Sequence, residues 1–157
     1  PTRSTLFPYM TLFRSLKAVI TQNIDGLHQA SGSRNVLELH GSVHRNHCQR
    51  CGKFYGLEHI LRTEGVPRCS CGGIIKPDVV LYEEGLDQGT LEAAVRALAE
   101  ADMLMIGGTS LNVYPAAGLI RYYQGHRLVL LNKSPVARDL AADLVITDPI
   151  GETLAQL

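Results

Sequence analysis

The sequence predicts an α/β fold, a parallel sheet with crossover helices interrupted by a small four-cysteine insert. Three observations carry this expectation. Short apolar runs of strand length alternate with helical segments along the chain. Polar residues fall directly after the C-terminal ends of four of those runs, the edge at which open α/β sheets bind ligands. All four cysteines lie in one Gly-rich stretch, from about His47 to Gly73.

The composition sets the frame. A chain of 157 residues, 45% hydrophobic and 19% charged, suits one soluble domain, or one domain plus a small appendage. Its 15 basic and 15 acidic side chains cancel, which removes any general attraction to nucleic acid or anionic membranes. No apolar run approaches the roughly 20 residues that span a bilayer, and the first residues lack the order of a signal peptide. A cytoplasmic protein is expected, and there clustered cysteines are metal ligands more often than disulfides.

Taken in order, residues 1–15 (PTRSTLFPYMTLFRS) follow neither helical nor strand periodicity, and Thr5-Leu6-Phe7 recurs as Thr11-Leu12-Phe13. The segment reads as a frayed terminus or as a translated sequencing adapter joined to an incomplete gene. Lys17–Ile20 reads as a short buried strand running into Thr21-Gln22-Asn23-Ile24-Asp25-Gly26. Val36–His40 alternates apolar and polar and stops at Gly41. After the Cys-rich insert, residues 91–101 put Leu91, Ala94, Val95 and Leu98 on one helical face. Residues 102–106 form an apolar strand ending at Gly107-Gly108-Thr109-Ser110, and 115–123 a helix with Pro115 in its first turn. A strand at 127–131 ends at Asn132, a last strand covers 144–147, and a short helix runs from 151 to 157.

Two kinds of residue in this frame bear chemistry. Cys48-x2-Cys51 and Cys69-x-Cys71, with 17 residues between the pairs, can close a tetrahedral shell around zinc with no open position, so such a site is structural. His44 and His47 stand near enough in sequence to replace a ligand, and four buried free thiols are the alternative. His40, at a strand end beside Gly41, is equally a satisfied structural histidine or a general base. Asn23 and Asp25 favour turns for their own backbone reasons. Gly107-Gly108-Thr109-Ser110 is either a tight turn or a phosphate cradle of backbone N–H groups and hydroxyls.

Taken together, TQNIDGLH (residues 21–28), LHGS (39–42), the four cysteines, GGIIKPDVVLYEE (72–84), GGTSLNVYPAAG (107–118) and LVLLNKSP (128–135) resemble the sirtuins, the NAD-dependent protein-lysine deacylases, in the family's order. The similarity covers residues 16–157. It implies an incomplete Rossmann-like parallel sheet, with residues 16–46 and 74–157 as the NAD-binding domain and 47–73 as an inserted zinc-binding module. By that resemblance Gln22, Asn23, Ile24 and Asp25 line the nicotinamide and ribose pocket, and His40 is the catalytic base. Gly108, Thr109 and Ser110 contact the phosphates and ribose of NAD. Asn132, Lys133 and Ser134 surround the adenosine ribose, and Ile150 covers the adenine. Val79, Val80, Leu81 and Tyr82 match the extended segment that pairs with the substrate peptide, Val80 lying against the acyl-lysine. One structural zinc ion and the co-substrate NAD are implied, with acyl-lysine proteins as partners and neither nucleic acid nor membrane. The implied products are free lysine, nicotinamide and acyl-ADP-ribose.

The sirtuin pattern begins with a strand, a Gly-Ala-Gly loop and a flexible segment rich in Ser, Pro, Asp, Phe and Arg, none of which matches residues 1–15. The expectation is a chain with an unpaired sheet edge and little or no turnover of its own. Glu83-Glu84 stands where the pattern has Gly-Glu, a variation that the family contains. The alternatives are a catalytically inactive zinc-stabilised fragment binding nucleotide or acyl-peptide, and a Cys-pair module binding nucleic acid. Zero net charge and few aromatics beside the insert argue against the latter.

Overall fold

The computed structural model describes residues 16–134 and 141–156. The chain divides into two compact units, Val19–Leu91 and the part from Glu92 onward. The adapter-like segment at residues 1–15 lies outside the described residues.

In the first unit, β1 (Val19–Thr21) pairs in parallel with β2 (Val36–Glu38), Val19 opposite Val36 and Thr21 opposite Glu38. Between them runs the one-turn helix α1 (Leu27–Ala30), entered through Gly26 in the left-handed region. The Asp25 carboxylate accepts the Leu27 N–H at 3.0 Å, and so caps a helix too short to hold itself. An antiparallel sheet follows, with β3 (Gly41–Cys48) between β4 (Phe54–Gly56) and β5 (Ile75–Val79) and the short α2 (Leu57–Leu61) after β4. Sequence patterning did not foresee this sheet. The residues that β3 buries are Ser42, Asn46 and Cys48, and such small polar side chains produce no hydrophobic alternation. Asn46 is fully buried and is satisfied by donating to the Val43 carbonyl at 3.0 Å.

Helix α3 (Gln88–Ala99) starts three residues ahead of the expected 91, because Asp87 Oδ2 accepts both the Thr90 N–H and its hydroxyl, at 2.8 and 2.9 Å. Ala94 and Leu98 are buried, as its apolar face requires. The second unit then carries β6 (Leu104–Gly107), β7 (Leu128–Leu131) and β8 (Leu144–Ile146) in a parallel sheet of that order. Its core is Ile106, Leu111, Ala117 and Leu130, with Leu104, Ile120, Leu128 and Ala142 packed around it.

Parallel pairing is therefore present as expected, in two separate ladders. The segment read as a helix over 115–123 is a 3-10 helix, Ala116–Tyr122, and Pro115 is its N-cap and not a first-turn residue. Ala116, Ala117 and Leu119 bury three of its first four positions, so packing on the core outweighs its weak intrinsic propensity. The terminal helix α4 (Ile150–Leu154) is shorter than the 151–157 expected and starts one residue earlier.

Candidate functional site

Four of the predicted strand ends are strand ends in the structure. Gln22–Asp25 follow β1, His40 follows β2, Gly108–Ser110 follow β6 and Asn132 follows β7. In the first unit they converge. Gln22, Asn23, Ile24, Asp25, His40, Val79 and Val80 line one cavity of about 440 Å³, within the range of small-molecule sites.

Several hydrogen bonds set the shape of this cavity. Asn23 N–H donates to the Thr21 hydroxyl at 3.0 Å, turning the chain sharply out of β1. The Asp25 carbonyl lies 2.9 Å from His44 Nε2, and a Cβ on Gly26 would stand only 2.8 Å from that same nitrogen. His40 Nδ1 lies 3.2 Å from the Gln22 carbonyl oxygen. A carbonyl can only accept, so this contact makes Nδ1 the donor and leaves Nε2 as the ring nitrogen not committed to it. Gly41 (φ +77) brings β3 against β5 so closely that a Cβ there would collide with the Asp78 carbonyl oxygen. Val80 N–H donates to the His40 carbonyl at 3.0 Å, joining the histidine to the segment opposite.

That segment is less extended than the sequence suggested. β5 ends at Val79, and the chain turns at once, with Glu84 N–H donating to Leu81 O at 3.1 Å. Val79 and Val80 face the cavity, while Leu81 and Tyr82 are 55% and 101% exposed. Glu83 holds the left-handed φ of +71 where the sirtuin pattern has glycine.

The sulfur atoms of Cys48, Cys51, Cys69 and Cys71 all lie within 4.8 Å of one another. Four thiolates about 2.3 Å from a shared zinc ion would sit about 3.8 Å apart, so the donor set and spacing fit one tetrahedral zinc. Cys48 and Cys69 are buried, and Cys51 and Cys71 lie toward the surface. The Cys71 N–H and the Tyr55 hydroxyl, the latter 3.0 Å from Sγ, pull the Cys69 thiol down to about 5. For Cys51 the Lys53 N–H acts downward, but the thiols of Cys71, Cys48 and Cys69 together push it up to about 11. Gly73 lets the chain pass, since a Cβ there would stand 2.7 Å from Cys48 Sγ. Neither nearby histidine joins the cluster: His47 Nδ1 pairs with Asp78 at 2.7 Å, and His44 is held at Asp25.

In the second unit, Gly108 is left-handed (φ +61) and its N–H donates to Leu131 O. Thr109 Oγ1 accepts the Leu111 N–H at 3.1 Å. Asn132 Nδ2 donates to Ser134 O at 2.7 Å, folding Lys133 and Ser134 into a tight loop. Ile150 Cδ1 packs where a side chain on Gly107 would be, which places it over the end of β6. Sequence reasoning missed Tyr55, Lys76 and Glu84, whose partners lie 14, 8 and 3 residues away in the chain. No periodicity marks such contacts.

An α/β protein with a histidine-bearing cavity at its strand ends and a separate four-thiol metal centre is thus defined. The Sir2 family model matches residues 8–115, reaching upstream of the point where the motif resemblance begins. This chain belongs to the Sir2 family. It is 62% identical over 141 residues to the NAD-dependent protein deacetylase of Clostridium acetobutylicum, covering 88% of this chain and 58% of that protein. To the protein of the same name from Clostridium perfringens it is 60% identical over 144 residues, covering 90% and 59%. Among solved structures, that of Sir2 with a p53 peptide and NAD+ superposes with a TM-score of 0.84 at 37% identity, over 97% of this chain and 66% of that one. A structure of Sir2Tm bound to a propionylated peptide gives 0.85 at 37%, over 97% and 67%. The chain spans about 58% of the length of the first of these curated relatives.

Proposed function

We propose that the protein is an NAD-dependent protein-lysine deacylase, yielding nicotinamide, acyl-ADP-ribose and free lysine. The observation that carries this reading is His40: its Nδ1 is committed to the Gln22 carbonyl, and its ring lines the same cavity as Gln22–Asp25, Val79 and Val80. NAD supplies the ribose whose bond to nicotinamide breaks under attack by the acyl oxygen of the modified lysine. As a ribose hydroxyl attacks the acyl carbon, His40 Nε2 would accept its proton, a role suited to an imidazole near pH 7, and water would complete the cleavage that frees the lysine amine. Gln22, Asn23 and Ile24 orient nicotinamide through uncharged contacts. Asp25 adds its negative charge at the rim while its Oδ1 caps α1.

In this reading the NAD-binding part comprises residues 16–46 and 74–157, and 47–73 is the zinc module. Gly108, Thr109 and Ser110 hold phosphate and ribose, Asn132, Lys133 and Ser134 the adenosine ribose, and Ile150 the adenine. Val79 to Tyr82 receive the peptide. Zinc at Cys48, Cys51, Cys69 and Cys71 holds its module together, because four protein ligands leave no place for substrate. The relatives named protein deacetylases and the peptide-bound Sir2 structures support acyl-lysine proteins as partners. A cytoplasmic location suits four thiols arranged for metal. No described helix is long and apolar enough to cross a membrane.

The test is nicotinamide release from NAD with an acetyl-lysine peptide by the full protein. His40→Ala is expected to lower turnover by at least about 100-fold with zinc content unchanged. Turnover retained in His40→Ala removes His40 from the role of base. Peptide binding without nicotinamide release supports the non-catalytic alternative.

A further inference from the structure

Lys76 and Glu84 form a cluster that the chemistry above does not use. Lys76 Nζ, on β5, donates to the Val79 carbonyl at 2.9 Å and to Glu84 Oε2 at 3.2 Å. The same Glu84 oxygen accepts the Leu81 N–H at 2.8 Å. These contacts hold the Glu84 carboxyl below its ordinary range, the Leu81 N–H contributing most and the Lys76 ammonium next. One carboxylate and one ammonium thus span the turn after β5 and tie its far end back to its origin. Within the turn Glu83 keeps a left-handed backbone, which a non-glycine side chain adopts only when its surroundings impose it. On the other side, Val80 N–H is held by the carbonyl of His40. The stretch that borders the cavity is therefore pinned twice, once to the histidine and once by the ion pair.

We infer that Lys76 and Glu84 are positioning residues for substrate, a clamp that preforms the Val79–Tyr82 segment to receive an acyl-lysine peptide. This rests on the deacylase reading of that segment. Pairing of a peptide with backbone groups requires those groups to be fixed beforehand, since a loose segment must lose its freedom on binding. A partly exposed ion pair contributes little by itself. Its leverage here comes from the two backbone groups it also holds.

The experiment is fluorescence anisotropy with a short labelled peptide carrying one acetyl-lysine, against its unacetylated twin, on the zinc-loaded chain. Glu84→Ala and Lys76→Met are each expected to weaken the acetylated peptide about 5–10-fold, the loss of one charge-assisted hydrogen-bond set. Lys76→Arg should stay within about twofold, because it keeps the donors. The double variant should bind no more weakly than either single one, as members of one unit behave. Zinc content and Tm should not move, which separates positioning from general loss of fold. Glu84→Gln keeps an acceptor for Leu81 and serves if Glu84→Ala does not fold; it should lose less affinity than Lys76→Met. Peptide affinity within twofold of the unsubstituted chain in Glu84→Ala and Lys76→Met overturns the clamp and leaves the substrate reading standing. An unsubstituted chain that does not distinguish the acetylated peptide from its twin overturns the substrate reading, and the clamp with it.

Discussion

Gly41 and Gly32 both adopt left-handed backbone, at φ +77 and +97, yet only Gly41 has a neighbour where a side chain would go. Replacing each by alanine separates the cost of the backbone from the cost of the close approach. At Gly32 nothing lies within 4 Å of the added Cβ, so Gly32→Ala should cost only the left-handed penalty of about 1–2 kcal/mol. At Gly41 the same penalty applies, and the Cβ also meets the Asp78 carbonyl oxygen, backbone that cannot swing aside. Relieving that collision means parting β3 from β5 around the Gly41–Val79 and Ser42–Asp78 pairings. Two ladder hydrogen bonds at about 1 kcal/mol each bring the expected loss for Gly41→Ala to about 3–4 kcal/mol. In a unit of this size each kcal/mol lowers Tm by about 4–8 °C, so the two variants should differ by about 10 °C in a thermal melt followed by circular dichroism. Gly41→Ala should also move Val80 relative to His40 and abolish peptide binding. Equal Tm values for the two variants would refute the argument, because the close approach would then have no energetic weight.

Cys51→Ser removes one of four ligands, and structural zinc sites carry folding free energy of about 10 kcal/mol or more, comparable to the stability of a whole domain. The variant should lose bound zinc in a colorimetric chelator assay and become insoluble; a soluble, stable, metal-free Cys51→Ser would sink the structural metal centre. With no tryptophan in the chain, tyrosine fluorescence should follow zinc removal through Tyr55, whose hydroxyl rests on Cys69. Asn132→Ala frees the loop that its side chain ties to Ser134, and should weaken NAD binding about 10-fold by calorimetry. Unchanged NAD affinity would count against its place beside the adenosine ribose.

Much of the site was legible because its signals are local. Strand ends can be read from short apolar runs, and the residues after them follow without knowledge of the fold, so Asn23, Asp25 and His40 in the first unit, and Thr109 and Asn132 in the second, each come after a strand as expected. The metal cluster was legible for a different reason: thiol is a rare, soft donor, and two close pairs of it within one short stretch have few uses besides holding a metal. The antiparallel sheet was not legible. It places Asn46 and Ser42 in buried positions that only their hydrogen bonds make acceptable, and hydrogen bonding leaves no period in a sequence.

The amino-acid order by itself determined the α/β class, the parallel strands, the four ligands and the polar residues at the strand ends. All of these depend on chemistry carried by single residues or by neighbours in the chain. Only the tertiary structure decided that His40 Nδ1 is committed to the Gln22 carbonyl, since that partner lies 18 residues away. It alone decided that Gly41 is required by contact with Asp78, and that Lys76 and Glu84 brace the turn beside the cavity. Those facts arise when distant segments come within hydrogen-bond or van der Waals distance, and such proximity is a property of the folded chain.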